Sequence, residues 1–104
     1  MYILLIAFMS LNKNKKILKI RKKLDILDNK MLNIIKIRTD LVHQVLQNKT
    51  NKKQIVDKKR ISVILKNIKK KSIKKELDVK LTRRIWSNMI KAYIDFEYRK
   101  FKKK

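Results

Sequence analysis

Apolar side chains recur in steps of three and four along the first half of the chain. Ile17, Ile20, Leu24, Leu27, Met31 and Ile34 make one stripe, which Leu41 and Val45 continue. That spacing is the period of an α-helix. No breaker falls between Lys15 and Lys49, so one helix is expected there, spanning roughly 52 Å at the standard rise. A compact domain of this size has a radius of gyration of only about 13 Å. The helix should therefore overhang its own fold, with its stripe covered by another chain, and a homodimer is the economical arrangement. A second helix is expected from about Lys58 to Lys70, with Ile61, Ile64, Leu65 and Ile68 on one face. The basic stretch KKKSIKKEL then reads as a connector. Asp78 suits the N-cap of a third helix over about 79–101, carrying Leu81, Ile85, Trp86, Met89, Ile90, Tyr93, Ile94 and Phe101 inward. With no strand pattern and no internal repeat, the fold class is all-α: three helices, the first unusually long.

Composition narrows the chemistry. The 104 residues suffice for one domain. There are 31 Lys and Arg against 8 Asp and Glu, a formal net charge of +23, which points toward anionic partners. Lys, Ile and Asn dominate, as an AT-rich coding sequence would produce, so individual lysines can be solvated filler. The absence of Cys excludes disulfides and thiolate metal sites, and the single His43 cannot form a metal cluster. Without any Gly there is no phosphate-cradling loop. The opening run MYILLIAFM is too short to span a bilayer and lacks the charged start and cleavage site of a signal peptide. Met9 would make a natural alternative start. Residues 1–14 are expected to be a loose extension and 15–104 the helical domain. A membrane tether is the minority reading of the extension, and the protein is expected to be cytoplasmic, with no membrane partner.

Charges interrupt the stripes where apolar residues are due. Arg38 occupies the seam position between Ile34 and Leu41. Arg21, Asp28, Ile35, Val42 and Lys49 form a row seven residues apart along its flank, with a cation at each end. Stepping back from Ile64 reaches Arg60 and Asp57, and four residues beyond Tyr93 lies Glu97. A buried arginine costs several kcal/mol unless paired. Any one of these charges could be a seam-edge ion pair or a snorkelling stem. Together, with few acids to neutralise them, the cations suggest a pocket for a small dicarboxylate clamped by arginines.

The run IRKKLDILDNKMLNIIKIRTDLVHQVLQNK resembles the first helix of the all-helical, type II chorismate mutases. DKKR is similar to the start of that family's second helix, and IWSNMIKAYIDFE to its third, so the resemblance covers about residues 17–101. It implies an intertwined homodimer and a cofactor-free, metal-free pericyclic rearrangement of chorismate to prephenate in aromatic amino-acid biosynthesis. It implies that Arg21, reaching in from the partner chain, and Arg38 clamp the substrate carboxylates. Lys49 would donate to the ether oxygen, and Glu97 would face the same oxygen, where a Glu donates only when protonated. Asp57 would help place the ring hydroxyl and Arg60 would add to the positive field, with Lys58 and Lys59 between them as solvent-facing filler. Ile61 stands where most mutases carry a Glu for that hydroxyl, Leu46 where many have Gly, and Tyr93 where a small residue is common. An apolar Ile61 and an aromatic Tyr93 also resemble the isochorismate–pyruvate lyase branch, which forms salicylate and pyruvate, whereas Asp57 points to the mutases. The third reading, a basic helical protein binding nucleic acid through its phosphates, rests on charge alone. The resemblance therefore leaves nucleic acid as an unexpected partner.

Overall fold

The computed structural model describes residues 2–103. It has three α-helices, α1 (Tyr2–Gln47), α2 (Lys58–Lys74) and α3 (Val79–Lys100), with a short 3-10 turn at Lys52–Gln54. No strand occurs among the described residues, and the chain is all-α. α1 starts at Tyr2, well before Lys15, so the first residues are helical rather than loose. The reason is local: residues 2–14 hold no Gly or Pro, and Leu, Ala, Met and Lys all propagate a helix at little cost.

The chain divides into two units, Met1–Thr39 and Asp40–Lys104. In the first unit every side chain from Tyr2 to Ile37 is exposed. The seam is no exception: Leu24 is 51% exposed, Leu27 52% and Met31 55%.

The second unit holds the end of α1, the 3-10 turn and the hairpin of α2 and α3. Its buried apolar residues are Leu46 and Ile55. α1 ends with the N–H groups of Asn48 and Lys49 donating to the carbonyls of Val45 and Leu46. Gln54 then fastens the following turn, its Oε1 accepting from the backbone N–H of Thr50 (2.6 Å) and of Asn51 (3.2 Å). Asp57 caps α2, its Oδ1 accepting from Arg60 N–H at 3.0 Å, and Asp78 caps α3 in the same way through Leu81 N–H at 3.1 Å. On α3, Trp86, Met89, Ile90, Tyr93 and Ile94 are half-buried as the period requires, and Phe101, just past the helix, is too. Leu81 and Ile85, expected inside, are exposed instead. They lie on parts of α3 that α2 does not cover.

The expected connector after Lys70 is mostly helix, since α2 runs on to Lys74. It is held there by a hydroxyl pair buried between α2 and α3, Ser72 Oγ to Thr82 Oγ1 at 2.7 Å. Each hydroxyl also reaches a backbone carbonyl of its own helix, Ser72 that of Ile68 at 2.6 Å and Thr82 that of Val79 at 3.3 Å. The corner itself has Leu77 N–H on the Ser72 carbonyl and Glu76 N–H on that of Ile73, a Schellman motif. The left-handed residue of such a motif is normally Gly. In this glycine-free chain Glu76 takes it, at φ 56°.

Candidate active site

The second unit brings together two side chains 48 residues apart. Lys49, two residues beyond the end of α1, donates from Nζ to Oε1 of Glu97 on α3 at 2.9 Å. A longer contact, 3.5 Å, runs from the same Nζ to the carbonyl of Ile55. Glu97 is 7% exposed and Lys49 half-buried. Three things produce this arrangement. The end of α1 releases Lys49 just after buried Leu46. The Gln54-fastened turn carries the Ile55 carbonyl back over it. The α3 period places Glu97 one turn beyond Tyr93 on the covered face. A carboxylate with so little exposure persists only where a cation or donor meets it, and Lys49 supplies both.

Beside the pair, an open groove of about 570 Å³ is lined by Lys49, Gln54, Val56, Asp57, Lys58 and Lys59. Lys58 and Lys59 are exposed, as filler would be, yet they form its wall. The first turn of α2 holds Lys58, Lys59 and Arg60 with no acid among them. This opposes the helix dipole, whose positive end prefers anions, at roughly 0.3–1 kcal/mol per charge. The N-cap Asp57 is the acid at this helix start, its Oδ1 accepting from Arg60 N–H.

The other expected site residues fall as follows. Asp57 is exposed on the groove wall, with one carboxylate oxygen already committed to capping. Arg60 is exposed and Ile61 half-buried in the first turns of α2. Tyr93 is half-buried on α3 and meets Phe96 edge-to-face, with ring centroids 6.3 Å apart. In the first unit, Arg21 is exposed and Arg38 half-buried on α1. Among the described residues no cluster of three or more His, Asp or Glu side chains is grouped to hold a metal.

Comparison with protein families supplies the deciding observation: the family model for chorismate mutase type II matches residues 20–98. The chain belongs to the type II chorismate mutase family. The match spans all three helices and includes Lys49, Glu97 and the groove between 49 and 59. Neither the curated proteins nor the solved structures compared with this family member include a match. Membership implies isomerase chemistry at the level of the family.

Proposed function

We propose that the protein is a chorismate mutase that works as a homodimer. The observation that carries this reading is the 2.9 Å pairing of Lys49 with Glu97. These are the two groups that the family pattern directs at one ether oxygen. The reaction is a single cyclic shift of electrons in which the ether C–O bond breaks as a C–C bond forms. No proton moves and no group leaves. Negative charge grows on the ether oxygen in the transition state, so a donor already in place there lowers the barrier. The Lys49 ammonium has three N–H donors. Glu97 and the Ile55 carbonyl draw two of them, and the third is the one the ether oxygen would accept.

Arg38 and the partner's Arg21 would clamp the two carboxylates and hold the compact conformer that reacts. The α2 start would add its cations to the field. The dimer is supported by the exposed seam of α1. Covering six half-exposed apolar side chains is worth about 1 kcal/mol each, repeated on both chains. Chorismate fits the chemistry of such a site, because its two carboxylates match a surplus of cations.

A second reading, isochorismate–pyruvate lyase, is favoured by the half-buried Ile61, an apolar contact where a mutase would offer a carboxylate to the ring hydroxyl. The two separate by product. Incubated with chorismate, the purified protein is expected to yield prephenate, read from loss of the chorismate absorbance and acid conversion to phenylpyruvate. Salicylate from isochorismate, with chorismate left untouched, would overturn the mutase in favour of the lyase.

A further inference from the structure

We propose that the apolar start of α1, Tyr2–Leu11, seats in one leaflet of an anionic lipid bilayer, with the lysines that follow it held at the headgroups. Three observations point the same way. Apart from the Tyr2 hydroxyl at its tip, the segment YILLIAFMSL carries one polar side chain, Ser10, so its apolar surface runs round the whole helix rather than along one stripe. Ile3 is 81% and Leu4 74% exposed. A partner helix covers one face, whereas a helix that is apolar all round calls for a medium that surrounds it. The seam residues that support the dimer begin later, at Ile17, and run as a stripe.

Length sets how deep the segment goes. Ten helical residues rise about 15 Å, half of the roughly 30 Å hydrocarbon core. Among the described residues no helix is long and apolar enough to cross a membrane. One leaflet is the depth that matches.

Charge then selects the lipid. After Leu11 come Asn12 and Asn14 and the lysines Lys13, Lys15, Lys16, Lys19, Lys22 and Lys23, and the first acid in the chain is Asp25. These side chains are exposed on one continuous helix with the apolar segment. Their stems can lie along the acyl boundary while the ammonium groups meet phosphate. A neutral surface would satisfy the apolar segment and leave this collar unmatched. The helicity of residues 2–14 sets the collar directly after the apolar segment on the same helix.

The test uses the full chain and vesicles of phosphatidylcholine, with or without about one-third phosphatidylglycerol. Because the chain has no Cys, Ser10→Cys gives a unique site for an environment-sensitive dye. The protein is expected to sediment with the anionic vesicles and about tenfold less with neutral ones, and the dye emission should shift to the blue only when vesicles are present. Leu5→Asp with Phe8→Asp should cut anionic-vesicle binding about tenfold and abolish the shift, with helicity and melting temperature unchanged. Lys13→Glu, Lys15→Glu and Lys16→Glu together should remove the preference for anionic lipid. Three results would overturn the proposal. One is no sedimentation with either vesicle. Another is sedimentation that the Leu5→Asp, Phe8→Asp pair leaves intact, which would assign it to the overall charge of +23. The last is a blue shift without lipid and a larger solution mass that the same pair abolishes, which would give the segment to a second copy of the chain.

Discussion

Residues 2–39 and 40–103 draw on the same short alphabet of Lys, Ile, Leu and Asn, yet every buried side chain among the described residues lies in the second stretch. The first stretch has the more regular apolar stripe and leaves it open. The second has a less regular pattern but folds α2 against α3 and closes a turn over the end of α1. Periodicity states which face of a helix wants cover. It does not state whether the same chain supplies that cover. The comparison divides the proposed work as well: the second stretch holds Lys49 and Glu97 in contact by its own packing, while Arg21 in the first would act on another chain's substrate.

Four outcomes would sharpen or break that division. The largest belongs to the second stretch. Lys49→Ala should lower chorismate turnover about 10³-fold, the scale of losing a transition-state donor, while gel filtration shows an unchanged oligomer. A fall of only a few-fold would place the chemistry elsewhere. Next, Leu27→Glu puts a charge in the open seam of the first stretch. It should dissociate the dimer in light scattering and reduce turnover about a hundredfold, although α2 and α3 remain helical. A monomeric variant with full activity would contradict the need for a partner. A smaller effect is expected at Glu97. Glu97→Ala removes the carboxylate that Lys49 Nζ meets at 2.9 Å and should lower turnover about tenfold by loosening that donor, with helicity unchanged. Unaltered turnover would remove Glu97 from the chemistry. The smallest effect is at the α2–α3 corner. Glu76→Gly should raise stability by about 1 kcal/mol by relieving a left-handed residue that carries a side chain, seen as a higher melting temperature with activity unchanged.

Much of this fold was legible in the sequence. The Asp78 cap follows from residue type and position, and it holds. The start of α1 was misplaced because an apolar run without a stripe carries no helical period, although its residues propagate helix well. The end of α2 was misplaced because KKKSIKKEL looks like solvated connector. Only the Ser72–Thr82 contact, a tertiary feature, shows why the helix continues. At the site, Glu97 was marked by a charge where the α3 stripe should continue. Lys58 and Lys59 were passed over, since in a chain with 31 cations two more on a helix start look like background. Their place on the groove wall depends on the turn at Lys52–Gln54, whose geometry rests on one glutamine side chain. The role of Asp57 was read only in part: it caps α2 as well as facing the groove.

The proposal that each site joins Lys49 of one chain to Arg21 of a second copy is tested most directly by complementation between two inactive variants. Arg21→Ala and Lys49→Ala are each expected to be nearly inert on chorismate. Mixed in equal amounts, unfolded and refolded together, they should form hybrid dimers in which one of the two sites carries both native residues. Random pairing then restores about one quarter of the parent activity. If the mixture stays as inert as its parts while light scattering shows dimers, Arg21 and Lys49 serve the same chain's site and the account of a shared site is wrong.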